Sequence, residues 1–313
     1  MAGKRNLITM SVRKKPISGR GRKAPILKKK PRFNLRLGKP IGEELQIIGR
    51  LHIEEALTQL AGNKVSPEPV HEARKAIKKV RAVIQLASPA LGSIHRKLVS
   101  ELLHDAMMRL GPLRDAEVQV QALDLLLETE NLMPEDFSSV RAGLADIAKQ
   151  RRVNDIRQIP RVLESLEKAL RCVNKWLLDP LQGKDVSRRV RRSYRRGRSL
   201  LDLCQVNDDP ETFHSFRKTV KQLWHSIRIT SRFWPEQAAD LIHELGLIGE
   251  LAGKERDFTL LAKTLRQGPA NKAAHHVIGM LDEELPKLRR ATLTAALSFY
   301  EQKPKAFVES LDL

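Results

Sequence analysis

The pattern H-x-x-R-K-x-x-K occurs twice in this chain, and it restricts the possible folds more than any other feature. It stands at residues 71–78 in "VHEARKAIKKVRA" and again at 214–221 in "FHSFRKTVKQLWHSIR", a shift of 143. A second phrase, "GPLRD" at 111–115, returns as "GKERD" at 253–257, a shift of 142. Two different phrases repeated in one order at nearly one offset indicate internal duplication. The chain then divides into homologous halves of about 41–183 and 184–313, each a helical bundle. Duplicated halves commonly pair about a pseudo-twofold axis, which would bring the two motif helices face to face.

Beyond Gly42, apolar residues recur at spacings of three and four, and alternating β-branched runs are absent. That periodicity predicts an all-α protein of about ten to twelve helices. Proline, which suits a first helical turn, marks the starts at Gly111-Pro112, Met133-Pro134, Ile159-Pro160, Asp179-Pro180, Asp209-Pro210, Trp234-Pro235, Gly268-Pro269 and Leu285-Pro286.

On a helical wheel, His71, Arg74, Lys75 and Lys78 share one face, with Lys79 and Arg81 at its flanks. Ala73, Ile77, Val80 and Ile84 lie opposite. The second copy places His214, Arg217, Lys218, Lys221, His225 and Arg228 on one face and Phe216, Val220, Leu223 and Ile227 on the other. Each helix therefore buries one stripe and turns out a cationic one. Like charges one turn apart repel by roughly 0.2–0.5 kcal/mol per pair. Glu72 is the single acid between His71 and Leu86 to relieve them. Cations repeated at about 5–6 Å form a ladder suited to a linear polyanion.

A third basic stretch, "SRRVRRSYRRGRSLL" at 187–201, carries seven arginines in eleven residues. Arg191, Arg195 and Arg198 share a face with Arg188 and Tyr194. As the chain neighbour of the second motif helix, it is expected to pack antiparallel to it and extend one continuous basic trough. Arginine forks suit phosphate oxygens. The "GPLRD" and "GKERD" phrases have two readings. They are helix starts with first-turn acids Asp115 and Asp257, or they add Arg114 and Arg256 to the anion surface.

The matched histidines do not suit a metal. Arg74, Lys75 and Lys78 would repel a cation, and no carboxylate or thiolate shares the stripe. His71 and His214 instead fit hydrogen bonding to an oxyanion, or a structural place near the helix start. No metal and no cofactor is expected. The net charge of +20 is unevenly placed. Residues 1–40 hold 14 of the 57 basic residues and none of the 37 acids, which predicts a flexible basic tail. The remainder is only mildly basic, so any strong patch there is local. Two cysteines outside any CxxC pair fit a reducing cytoplasm. No apolar run approaches a membrane span of roughly 20 residues.

These phrases carry a resemblance. "VHEARKAIKKVRAVIQL", "LHDAMMRLGPLRDAEVQVQAL", "RRSYRRGRSLL" and "FHSFRKTVKQLWHSIR" resemble, in order, the motifs of the CHAD domain family, over about residues 43–300. The resemblance implies an internally duplicated fold of two four-helix bundles around a basic cavity that binds inorganic polyphosphate. It also implies association with polyphosphate granules. Carried over by motif, the cavity lining would include His71, Arg74, Lys75, Lys78, Tyr194, Arg195, Arg198, His214, Arg217, Lys218 and Lys221. Here Trp224 stands where an arginine is usual, and the first half has no counterpart to the arginine run.

Together these readings predict a non-enzymatic binding module. The expected ligand contacts are His71, Arg74, Lys75, Lys78, Arg81, Arg114, Arg191, Tyr194, Arg195, Arg198, His214, Arg217, Lys218, Lys221, His225 and Arg228. Two alternatives differ in class. The basic tail and patch could bind nucleic acid weakly and non-specifically, although two tyrosines and three tryptophans give little material for base stacking. A phosphate-chain hydrolase or its accessory would want a GxxxxGK[ST] loop or a magnesium-holding acidic cluster, and neither appears.

Overall fold

The computed structural model describes residues 30–62, 66–178, 181–269 and 271–311. Residues 1–29 of the basic tail and the Asp179-Pro180 start lie outside them. The described chain is all-α. Its helices are α1 (Ile41–Leu60), α2 (Pro67–Ala87), α3 (Ser93–Arg109), α4 (Gly111–Thr129), α5 (Ser138–Asp155), α6 (Ile159–Val173), α7 (Gly183–Val206), α8 (Pro210–Thr230), α9 (Pro235–Gln267), α10 (Lys272–Phe299) and α11 (Pro304–Glu309). Single 3₁₀ turns stand at Pro134–Phe137 and Ile156–Gln158.

The sequence sets these ends locally. Pro67, Pro210 and Pro235 open their helices, where a missing N–H costs nothing. Asp209 caps α8 by accepting the Glu211 and Thr212 N–H groups. Helix α8 begins and ends 143 residues after α2, and α9 begins 142 residues after α3, which follows the offset of the repeated phrases. Helix α9 runs unbroken over the span that α3 and α4 divide at Leu110.

Two expected starts are corrected. Pro269 stands before α10, which opens at Lys272 behind a cap by Asn271. Pro286 does not begin a helix but lies inside α10. The lost backbone donor is tolerated because Leu281 and Leu288, on either side, are both buried in one apolar cluster.

The larger of two hydrophobic clusters spans both halves. It joins α1, α2, α3 and α6 to α7, α8 and parts of α9 and α10. Helix α6 shows how the pattern reaches this core: Ile159, Val162, Leu166, Ala169 and Val173, spaced by three and four, are all buried. Each large aliphatic so buried contributes roughly 1.5–3 kcal/mol. A smaller second cluster joins α4 and α5 to the C-terminal part of α9 and the N-terminal part of α10.

The basic tail ends earlier than its composition suggests. Residues 31–36 pack on the helices rather than extending the tail to residue 40. Phe33 and Leu35 are buried, and the Leu35 N–H donates to the Ile229 carbonyl at 2.8 Å. Buried Glu44 clasps the segment. It accepts from the Arg36 guanidinium at 2.8 Å, the Arg36 backbone N–H at 3.0 Å and Arg32 at 3.1 Å. Burial pushes this carboxyl up, but the bonds from Arg36 and Arg32 outweigh it and hold it down to about 2. The basic side chains of this short segment are consumed in holding it to α1.

Candidate functional site

Helices α2 and α8 pack against each other with their cationic stripes on one shared surface. Lys78 shows the arrangement best. It stays open to water, yet protein encloses it on most sides, as on the wall of a concavity. That enclosure, followed by Arg217, Arg74 and Lys221, pushes its ammonium down to about 8. Two of those three cations stand on the opposite motif helix. Among the described residues, Lys78, Arg217, Lys218 and Lys221 form no ion pair.

The repeated "GxxRD" phrase completes the site in both halves. Gly111 faces the Arg74 guanidinium: a Cβ there would stand 3.7 Å from Nη1. Gly253, its counterpart, stands against Arg217, with the equivalent distance to Nη2 being 3.9 Å. Gly249 leaves room for Lys221, whose Cε would lie 2.7 Å from an added Cβ. Burial pushes both arginines down from their ordinary value, and Asp115 opposes this at Arg74 as Asp257 does at Arg217. Of the two readings of this phrase, the helix start holds in the first copy, where Gly111 opens α4, and not in the second, which lies inside α9. The glycine makes space, the arginine adds charge and the aspartate faces the motif arginine.

Asp115 and Asp257 are the acids that the stripes themselves lack. They temper the repulsion without neutralising it. Burial raises the Asp257 carboxyl, while Arg217 and Arg114 pull it down. The histidines sit at the rim of this group. Burial, then Arg114 and Lys75, lowers His71. Burial, then Lys218, Arg256 and Arg217, takes His214 down to about 4. His214 Nδ1 and Arg217 Nε are buried without a hydrogen-bond partner, as is His225 Nδ1. These are donors and acceptors with nothing to meet, which otherwise carries a penalty of roughly 1–3 kcal/mol each.

Not every expected contact gathers here. Arg74 Nη1 donates to the Met107 carbonyl at 2.8 Å, so one arm braces α3. Lys75 pairs with Glu72 at 2.7 Å on its own helix. Arg81 is exposed on the far flank. Tyr194 is corrected outright: it is fully buried, donates to the Phe299 and Gln302 carbonyls at 3.1 Å, and stacks on Phe307 at 3.9 Å between ring centres. The face of α7 that was expected to be basic is here docked on the C-terminal segment. Arg198 follows it, donating to the Gln302 carbonyl at 2.7 Å.

The continuous trough is corrected as well. Arg191 and Arg195 line a separate cleft of about 380 Å³ with Pro89, Arg188, Arg189 and Arg192. Along α2, the contact of Gln85 with Ser193 and the buried Ala82 stand between Lys78 and Pro89. Helix α7 packs on α8, as its place in the chain suggests, and also meets α2 at Ser193.

Sequence reasoning missed Phe33 altogether. Its ring stands edge-on to His225, with 5.6 Å between ring centres, and Lys79 and Arg228 lie over it at 5.5 and 5.4 Å. A single phenylalanine in a basic segment gives no periodic signal. Among the described residues no group of three or more histidine, cysteine or acidic side chains is placed to hold a metal. No helix among them is long and apolar enough to cross a membrane.

The fold has solved counterparts. The crystal structure of the CHAD domain from the plant Ricinus communis superposes with a TM-score of 0.66 at 16% identity, covering 88% of this chain and 96% of that one. PptA from Streptomyces chartreusis gives a TM-score of 0.64 at 13% identity, covering 84% of this chain and all of that one. No curated protein matches the sequence. The CHAD domain family model matches residues 48–266, more than two thirds of the chain. That stretch contains both motif helices and both "GxxRD" phrases, so sequence and architecture agree: this chain belongs to the CHAD domain family.

Proposed function

We propose that this protein binds linear inorganic polyphosphate along the facing cationic rows of α2 and α8 and performs no chemistry on it. The observation that supports the reading is the environment of Lys78. Cations from two helices crowd an accessible ammonium, and among the described residues no ion pair consumes it. Such an arrangement is unfavourable in isolation and favourable around a polymer of negative charges. Arg74, Lys78, Arg114, Arg217, Lys218 and Lys221 supply the contacts. His71 and His214 supply hydrogen bonds to phosphate oxygens.

A hydrolytic role has less support. Asp115 and Asp257 face Arg74, Arg114 and Arg217, so a divalent cation at these acids would meet adjacent positive charge. A nucleic-acid role also has less support, since the Trp224 indole N–H is bound to the Ile242 carbonyl and its ring is occupied by Arg228 at 4.5 Å. The reading places the protein in the cytoplasm, in association with polyphosphate granules.

Competition on the full chain tests this. Long-chain polyphosphate displaces bound RNA, RNA displaces polyphosphate poorly, and log K falls with log salt by about 0.7 or more per phosphate contacted. Equal displacement in both directions overturns the reading.

A pH titration gives a second check. With its ammonium at about 8 in the free protein, Lys78 is charged below that pH and loses its proton above it. Bound phosphate raises the value again, so binding takes up a proton only above pH 8. Affinity is therefore level towards neutral pH and weakens, by up to about tenfold per unit, as pH rises above 8. Lys78→Arg removes most of that decline, because an arginine stays charged throughout. Calorimetric Kd values between pH 7 and about 10 measure both curves.

A further inference from the structure

One end of the cationic rows is built unlike the rest. Around His225 stand Lys78, Lys79, Lys221 and Arg228, drawn from both motif helices. Two aromatic rings hold three of these cations in place. Arg228 lies between Trp224, at 4.5 Å, and Phe33, at 5.4 Å. Lys221 lies over Trp224 at 5.2 Å, and Lys79 over Phe33 at 5.5 Å. Cation–π contacts of this kind fix a long side chain without consuming its charge; Lys79 is also paired with Glu55 at 3.6 Å, so the charge on offer here comes chiefly from Lys221 and Arg228. At the centre, the His225 imidazole touches both rings, at 5.6 Å from Phe33 and 4.9 Å from Trp224. Its Nδ1 is buried with no hydrogen-bond partner.

Phe33 also closes this end. Its ring is 9% exposed and packs edge-on against His52 at 5.2 Å as well as against His225. Its segment is pinned on both sides, by the Leu35 N–H to the Ile229 carbonyl and by the Glu44 clasp on Arg32 and Arg36. Phe33 lies before the residues matched to the family, whereas His225 and Arg228 lie within them. The rows therefore do not run on towards α1. A polymer lying along them meets a wall there, and cations from both helices stand beside it.

A linear polyphosphate has two kinds of phosphoryl group. An internal one carries a single negative charge and continues on both sides. A terminal one continues on one side only and carries a second ionisable oxygen with a pKa of about 6, as a phosphorylated side chain does. The blind end matches the second kind in both shape and charge. Resting on the polyphosphate reading above, we propose that the cluster of Lys79, Lys221, His225 and Arg228 walled by Phe33 and Trp224 seats the terminal phosphoryl group, so that the site recognises a chain end.

The test compares a linear polyphosphate of defined length with the same chain methyl-esterified at both terminal phosphoryl groups, using calorimetry on the full chain. Esterification removes the second charge and adds bulk at the end alone. The free-ended chain binds about tenfold or more tightly. Phe33→Ala and Arg228→Gln bring that ratio towards one. Arg74→Ala with Arg217→Ala weakens both ligands and leaves the ratio in place. Phe33→Leu, which keeps apolar bulk, serves if the alanine variant does not fold. Equal, measurable binding of both ligands to the unmutated protein overturns end recognition and leaves the polyphosphate reading standing. Binding of neither overturns both.

Discussion

Replacing Arg74 and Arg217 together by alanine lowers polyphosphate affinity by about a hundredfold or more. The two residues hold equivalent places on α2 and α8, each beside a glycine and facing an aspartate. A charge-assisted hydrogen bond contributes roughly 1.5–3 kcal/mol, and each 1.4 kcal/mol is a factor of ten. Removal also leaves Asp115 and Asp257 uncompensated beside the ligand, which adds repulsion. Calorimetric Kd at fixed salt measures the loss, with helicity by circular dichroism as the control.

The single variants separate binding from bracing. Arg74 alone donates to the Met107 carbonyl, so Arg74→Ala lowers thermal stability as well as affinity. Arg217 has no such bond, and Arg217→Ala lowers affinity with a smaller change in melting temperature. Affinity unchanged in the double variant would sink the ladder as the ligand's contact surface.

The second large effect concerns folding. Tyr194→Ala destabilises the protein by about 3–5 kcal/mol, the range for deleting a buried aromatic side chain. The ring is fully buried, stacks on Phe307 and touches Phe299 and Tyr300 at 5.8 and 4.9 Å. Its hydroxyl donates to the Phe299 and Gln302 carbonyls, so Tyr194→Phe costs about 1–3 kcal/mol by leaving the Phe299 carbonyl without this donor, while Gln302 keeps the bond from Arg198. Chemical denaturation measures both. Polyphosphate affinity of the folded fraction is retained in Tyr194→Phe, which distinguishes a structural tyrosine from one that touches ligand.

The contrast between Tyr194 and Arg217 shows what a sequence discloses here. Helices and their proline starts follow from local chemistry, and the two cationic stripes follow from spacing within one helix. Facing stripes are the expectation raised by the repeated phrase, which places like apolar residues on α2 and α8. Tyr194 sits among seven arginines, and a wheel alone places it with them. Its partner Phe307 stands far along the chain, and the rotation of α7 that joins them is set by close approach at Gly197. A Cβ there would lie 2.6 Å from the Tyr300 Cζ. That tertiary choice turns the arginines into the Pro89 cleft and away from the rows. Phe33 was hidden for a related reason: composition marks its segment as tail, and only the fixed fold shows Glu44 consuming the charges of Arg32 and Arg36. Pro286 shows a local rule overruled by burial on both sides of it.

The apolar core that runs through α1, α2, α7 and α8 without a seam also bears on how the protein came to work as it does. Neither the first group of helices nor the second is free-standing, since separating them would strip each of the surface that the other covers. The gap between the opposed arginines and lysines is consequently a property of the interior rather than of a hinge. On the proposed reading, it is the polymer rather than the protein that adjusts as the two meet.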